Sequence, residues 1–489
     1  MYVGVLLTGC GRQDGQVAEE EYTPDWESLS RHNPAPDWFM DAKLGIYFHW
    51  GVYSVPAFGS EWYPRHMHFK DREEYRHHVE TYGEPSEFGY HDFVPMFTAE
   101  HFDAAEWADL FQQAGARFAG PVAEHHDGFA MWASSLTPWN VLDKGPQRDI
   151  TGELAEELRN RDMKLVTTFH HARNNQHRIE RDGELIWTGH YPRVEGWPTV
   201  SEDPELRMLY GNLPRDEFLD LWKGKLIEVI DKYQPDLMWF DSWFDEIPEE
   251  FQTSYLAYYL NHAEKLNKGV VITTKQEDLP RDISVLDIEK GRMGELTDYP
   301  WLTDDTISRG SWCYTQDLEI KPISEVLHSL IDIVSKNGVL LLNISPKADG
   351  TIPEDQRTVL TEMGAWLDAY GEAIYGTRPW IIHGEGPTEL KEGRFGGFTD
   401  AGGYTAKDIR FTTKGNTIYA IVLGWPGSGE QVTIQSFAPV NLAEELDIES
   451  VTMLGSDEEI AWEMSDRGLL LTAPVNEVDD LAVVFKIQT

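Results

Sequence analysis

The sequence predicts an α/β protein: a (β/α)8-like parallel barrel followed by a C-terminal antiparallel β-sandwich. Two observations carry the barrel. Between about Trp38 and Trp380 short apolar runs alternate with amphipathic stretches of helical period, and the alternation continues for six or more units without a low-complexity insert. That many units favour a closed parallel barrel over an open sheet. A third observation carries the sandwich: from about Ile381 the texture changes to short alternating runs separated by Gly, Asn, Asp and Pro turns. The predicted division is a leader and linker over 1–25, the barrel over 26–385 and the sandwich over 386–489.

Taken in order, the strand candidates of the barrel are Leu44–Trp50, Phe118–Glu124, Lys164–Phe169, Asp236–Phe240, Val270–Thr274, Ser284–Ile288 and Val339–Ile344. Between them the 3.6-residue period predicts helices such as Ala104–Ala114, Gly152–Arg161, Asp216–Tyr233, Ser254–Leu266 and Ile323–Lys336. Asn337-Gly338 closes the last of these as a left-handed C-cap would. Met67–His91, rich in His, Glu and Tyr, reads as an insertion near the functional end. In the C-terminal part, Thr417–Leu423, Gln431–Ile434, Val451–Met453, Gly468–Thr472 and Leu481–Ile487 are too short for helices and alternate as strands.

Composition bounds the chemistry. The 41 Lys+Arg against 84 Asp+Glu give a formal net charge of −43, while 41% hydrophobic and 12% aromatic residues supply a sizeable core. A field this negative argues against nucleic acid and anionic membranes as partners. The two cysteines, Cys10 and Cys313, make no disulfide framework and match no zinc spacing. Cys313 reads as a core residue.

In a parallel barrel the chemistry collects at the C-terminal ends of the strands. Here the candidates end, in order, in His49-Trp50, Glu124-His125-His126-Asp127, His170-His171, Asp241, Lys275, Glu289 and Asn343. Asp241 emerges from the apolar run Leu237-Met238-Trp239-Phe240, a setting that tunes a carboxylate. Glu289 ends Val285-Leu286-Asp287-Ile288, beside Lys290 and Arg292. Carboxylates on separate strands, among histidines that hydrogen-bond hydroxyls and aromatics that pack on sugar C–H faces, are what glycoside cleavage requires. Metal is the competing reading of His49, His125, His126, Asp127 and His170. Successive strand residues point to opposite faces, so His125 and His126 do not share one ion while the strand persists. The expectation is no metal and no cofactor.

Several motifs resemble those of a known family. They are the run Trp38–Pro56 with Glu61-Trp62-Tyr63, then His125-His126-Asp127-Gly128-Phe129, then Gly145–Ile150. Pro235–Asp241, Leu341–Gly350 and Gly371–Thr377 continue the series. Together, over roughly residues 26 to 385, they resemble the α-L-fucosidases of glycoside hydrolase family 29. The resemblance implies a barrel with a C-terminal β-sandwich, no metal, and removal of terminal α-L-fucose from glycans, or from algal or host oligosaccharides, with retention of configuration. It implies Asp241 as nucleophile and His49, Glu61, Trp62, His125 and His126 as contacts to the sugar, with His170, Trp239, Lys275 and Trp301 as further substrate-binding candidates. Glu289 is the first choice for acid/base and Glu295 the second, and Trp312 joins Trp301 as a candidate wall for the aglycone.

The sequence departs from the family's pattern in three places: Ser242-Trp243-Phe244 follows Asp241, Phe169-His170-His171 stands where relatives often carry Tyr and Ser, and Lys275 stands where many carry Arg. Two alternatives stay beside the leading reading: a same-scaffold glycosidase for a related sugar such as α-L-galactose, and an inactive fucose-binding protein. Arg65, His66, His68 and Lys70 are candidates for a local basic contact to a sulfated glycan. Finally, Leu7-Thr8-Gly9-Cys10 ends a short apolar run and resembles a lipobox. This implies a lipid anchor at Cys10 and an extracytoplasmic lipoprotein, periplasmic or on the outer membrane of a bacterium.

Overall fold

A computed structural model of the chain describes residues 21–393, 397–400, 403–443 and 446–489. Cys10 and its apolar run lie outside the described residues. Eight strands form a closed barrel: β1 (Leu44–Phe48), β2 (Phe118–Glu124), β3 (Lys164–Phe169), β4 (Leu237–Phe240), β5 (Val271–Lys275), β6 (Val285–Asp287), β7 (Trp301–Thr306) and β8 (Gly338–Ile344). Each pairs in parallel with its neighbour in sequence, and β1 closes the ring on β8, Leu44 opposite Leu340. The interior is packed with Tyr47, Val122, Val166, Trp239, Leu302 and Leu341, so the barrel is a solid core below its functional rim.

Sequence periodicity marks seven of these strands. It misses β7, because the middle of that strand reads Thr303-Asp304-Asp305 and no helix separates it from β6. The outer ring is incomplete at this point: long helices Ala104–Gln113, Ile150–Asn160, Arg215–Tyr233, Glu249–Lys265, Ile323–Ser335 and Glu354–Tyr370 cover the rest, while β5, β6 and β7 follow one another through loops. Against this side lies a strand from the C-terminal part. Phe398 exchanges two backbone hydrogen bonds with Arg292, 3.0 Å from the Arg292 nitrogen and 2.7 Å from its own.

Helix Ile323–Ser335 ends through Asn337 in the left-handed region (φ 75°), as the sequence predicts. Gly338 follows because a side chain is excluded there: an added Cβ would lie 2.6 Å from the Trp301 ring. The C-terminal part contains a five-stranded antiparallel sheet, ordered 378–385, 409–414, 417–422, 483–488, 450–453, and a three-stranded one, ordered 431–434, 468–472, 462–465. Phe411, Val422, Ile434, Leu469, Leu471 and Phe485 pack together between them. The sheet takes its first strand from Arg378–Glu385, which straddles the change in sequence texture near Ile381.

One buried charge centre joins the two parts. Asp332, on the underside of helix Ile323–Ser335, accepts from Arg410 Nε of the C-terminal sheet at 2.6 Å and from Lys336 Nζ at 2.9 Å, with Arg292 at 3.6 Å. Asp332 and Lys336 are wholly buried. Burial pushes the Asp332 carboxyl up, but the three cations outweigh it and hold the group ionised. Removing the acid strands buried cations, so Asp332→Ala is expected to cost about 3–5 kcal/mol. The check is the denaturant midpoint of the full chain; an unchanged midpoint would mean the cations find other anions.

Candidate active site

The strand ends meet in one cavity of about 460 Å³, lined by His49, Glu61, Trp62, His125, His126, His170, Asp241, Trp243, Lys275, Glu289, Asp304 and Trp312 among others. At its centre is Lys275, the last residue of β5. Its Nζ lies 3.0 Å from Asp241 Oδ1, 2.9 Å from Glu289 Oε2 and 3.6 Å from Asp304 Oδ2, and 4.8 Å above the Trp239 ring. Burial disfavours a charged lysine, but the surrounding carboxylates, Asp241 foremost, hold this one protonated, well above its ordinary value. The reciprocal holds for Asp241. Burial would raise its carboxyl, and Lys275, with the hydrogen bond from His126, overcomes that and keeps it well below the usual carboxylate range.

Beneath Lys275 the barrel interior carries a second layer of acid. Asp304 Oδ2 accepts from Tyr47 Oη at 3.0 Å, and the Asp304 backbone nitrogen donates to Asp287 Oδ1 at 2.9 Å. Burial and the neighbouring Asp304 push Asp287 far up, so this pair carries a proton and the layer holds less negative charge than its composition suggests.

The opposite wall is imidazole. His126 Nε2 donates to Asp241 Oδ2 at 3.2 Å, and its Nδ1 faces the His170 carbonyl at 2.5 Å. His49 is oriented by Asn343 of β8, whose Oδ1 accepts from both the His49 backbone nitrogen and Nδ1 at 2.8 Å. Burial pushes His49 down to about 3 and holds His125 and His170 well below their ordinary value, so these rings are neutral donors and acceptors. Glu61 closes the rim. It is buried, which raises its carboxyl, and it accepts from the Trp312 backbone nitrogen at 3.0 Å.

This geometry has relatives. The family model for α-L-fucosidase matches residues 10–372, and that for the α-L-fucosidase C-terminal domain matches residues 403–488. The rat tissue α-L-fucosidase is 32% identical over 487 residues, covering 96% of this chain and 92% of its own. Crystal structures of the Thermotoga maritima α-fucosidase, in complex with fucose and with a mechanism-based inhibitor, are 30% and 31% identical. Each has a TM-score of 0.74 and covers 95% or 96% of this chain and 100% of that one. The chain belongs to the α-L-fucosidase family.

In this fucosidase the cavity gathers His49, Glu61, Trp62, His125, His126, His170, Asp241, Lys275 and Glu289. β2 ends at Glu124, so His125 and His126 both escape strand alternation and both reach the cavity, their rings 4.7 Å apart. Three expectations are corrected. Trp301 is wholly buried, because it opens β7 and so sits at the far end of the barrel, its Nε1 donating to the Lys336 carbonyl at 2.9 Å. Trp239 lies two residues before Asp241 on the same face, one layer deeper, and supports Lys275 and the His170 ring from below without lining the cavity. Glu295 is exposed in a separate cleft beside His383, away from the acidic centre.

Of the four residues expected to form a local basic contact, three are engaged or buried and Lys70 is exposed. Arg65 donates to the carbonyls of Gly189 and His190, His66 pairs with Glu74 at 3.0 Å, and His68 is buried. Sequence reasoning assigned no role to Asp304, Asp287, His190 or Arg173. Asp287 was visible only as an acid inside an apolar run, and Asp304 lies in the strand whose polar middle hides it from periodicity. His190, stacked 5.3 Å from His126, sits in a loop with no periodic signal. Arg173 stacks 3.9 Å from the Trp243 ring and 5.5 Å from Trp62 at the cavity mouth.

A carboxylate held low contributes stability that is present above its unfolded pKa of about 3.9 and is lost as pH falls through its folded value. Lys275→Met removes the strongest of the groups holding Asp241 down. Because the loss opens at the unfolded value in both proteins and closes at the folded one, the variant is expected to start from a lower melting temperature near neutrality and to lose less of it than the parent as pH falls below about 4. Melting curves across the acid range read it. Superimposable curves would mean that the hydrogen bond from His126 suffices.

Proposed function

We propose that the enzyme removes terminal α-L-fucose by double displacement through Asp241 and Glu289, with retention at the anomeric carbon. The observation that carries this is the shared lysine. With one nitrogen 3.0 Å from Asp241 and 2.9 Å from Glu289, the nearest carboxylate oxygens are separated by no more than about 6 Å. Pairs that admit a water for direct inversion stand about 6.5–9.5 Å apart, whereas retaining pairs stand near 5–5.5 Å. Asp241, ionised and aimed by His126 and Lys275, attacks the anomeric carbon as the glycosidic C–O bond breaks. Glu289 gives its proton to the departing oxygen, then takes one from the water that cleaves the fucosyl ester and frees Asp241. His49, Glu61, Trp62, His125, His126 and His170 hold the sugar's hydroxyls, and Lys275 steadies charge on both carboxyls as it moves between them.

The aglycone side is set by Trp243. This residue follows Asp241 by two positions with φ 77°, a left-handed conformation unfavourable for a tryptophan, and its ring is held by Arg173 against the mouth of the cavity. Its indole face offers a stacking surface to the first sugar beyond the scissile bond.

An N-terminal motif supports a reading of the compartment. Leu7-Thr8-Gly9-Cys10 supports a lipid anchor on Cys10 in an extracytoplasmic bacterial enzyme, and among the described residues no helix is long and apolar enough to cross a membrane. Cys10→Ser is expected to move the enzyme from the membrane fraction to the soluble one; equal partition of parent and variant would remove the anchor.

The catalytic reading is tested by proton NMR of the first-released sugar, with an aryl α-L-fucoside, fucosyl disaccharides and an α-L-galactoside as substrates. Expected are α-fucose as first product, loss of at least about 10³-fold in kcat for Asp241→Asn, and, for Trp243→Ala, a larger loss on disaccharides than on the aryl compound. First release of β-fucose would overturn retention, and preferred cleavage of the galactoside would favour the related-sugar reading.

A further inference from the structure

The sugar reading leaves one property of the cavity unexplained. One nitrogen from each of His49, His125 and His170 lies within 4.8 Å of the other two, and the ring centres stand 5.5, 5.3 and 4.5 Å apart. Three imidazoles bound at about 2.0–2.1 Å to one tetrahedral ion place their ring centres about 5 Å apart. The three rings are thus near that arrangement already, and modest side-chain rotation completes it.

The chemistry of the donors agrees with the geometry. The residues come from the ends of β1, β2 and β3, adjacent strands of a closed barrel, so their spacing is rigid. Burial keeps all three rings neutral, and no proton has to be displaced for a cation to bind. Asn343 Oδ1 takes the Nδ1 hydrogen of His49, which leaves Nε2 as the free lone pair; a carbonyl acceptor behind an imidazole is the usual support of a metal-bound histidine. Nδ1 of His125 and of His170 are buried with no hydrogen-bond partner among the described residues. Asp241, bonded to His126, supplies a nearby negative charge, opposed by Lys275.

We propose that the sugar pocket is also a transition-metal site, in which His49, His125 and His170 hold a borderline divalent cation such as Zn²⁺, Co²⁺, Ni²⁺ or Cu²⁺, and that metal and sugar exclude one another. Three imidazoles favour these ions over Mg²⁺ and Ca²⁺, which take oxygen. The same side chains face the sugar's hydroxyls, so an occupied metal site is an inhibited enzyme. Mutual exclusion rests on the glycone reading given above.

Co²⁺ is the probe, because its visible absorption reports tetrahedral nitrogen ligation. It is titrated into the full chain after chelator treatment. The expected result is one absorbing equivalent, abolished by excess L-fucose, with His170→Phe weakening Co²⁺ binding at least about tenfold. In parallel, Zn²⁺ is expected to raise KM for an aryl α-L-fucoside and leave kcat unchanged. With a net charge of −43 the surface also attracts cations weakly, and the design separates the two. A band that survives both fucose and His170→Phe belongs to the acidic surface and overturns the proposal, as does the absence of a band at millimolar Co²⁺. Hydrolysis measured in chelator alone tests the glycone reading by itself: if none occurs, that reading fails, and the His170→Phe spectrum still decides the metal.

Discussion

A single buried ammonium holds the catalytic end of this molecule together. Asp241, Glu289, Asp304 and Asp287 crowd into a space from which water is largely excluded, where like charges repel strongly. Lys275 makes that concentration of acid tolerable, and the structure is built around keeping it there. Trp239 supports it from below, Tyr47 and the shared proton of the Asp304–Asp287 pair reduce the negative charge facing it, and the two exposed-side carboxylates take its remaining hydrogens. An arginine at this position would present a planar fork; the ammonium is a compact charge that reaches two carboxylates from one nitrogen.

The barrel converts this local balance into a reactive geometry. Because each strand is hydrogen-bonded to both neighbours, the register that packs Val122, Val166 and Leu341 in the interior also fixes where each strand stops. What projects beyond those stops is polar and converges. His49, His125 and His170 are neutral because the same closure buries them, and His49 orients by a hydrogen bond to Asn343 in place of charge.

Much of this was legible in the sequence, because strand ends are where an apolar run gives way to a side chain of another kind. Asp241 after Leu237–Phe240 and His125 after Phe118–Glu124 are plain examples. The missed and misplaced features share a physical origin. β7 reads as polar because one of its inward residues, Asp304, serves Lys275 instead of the core, so its hydrophobic alternation is broken by function. Trp301 looked like a sugar platform because an aromatic near a carboxylate segment carries no sign of which end of a strand it occupies. The sequence ranks Glu289 ahead of Glu295, and the fold separates them physically, turning one toward Lys275 and leaving the other in solvent. Of the basic cluster in sequence, Arg65 and His66 spend their hydrogen bonds internally and His68 is buried.

The backbone pairing of Phe398 with Arg292 has a consequence for how such an enzyme is divided. Arg292 lies three positions beyond Glu289, on the side of the barrel where β5, β6 and β7 have no covering helix. The segment that carries Glu289 is thus braced by chain belonging to the C-terminal part, and the Asp332 centre ties that part to the barrel a second time. Sequence boundaries suggest a catalytic module with a detachable appendage. Mechanically the barrel and the C-terminal part are one unit, and a barrel cut free at Arg378 would keep Asp241 while losing the brace beside Glu289.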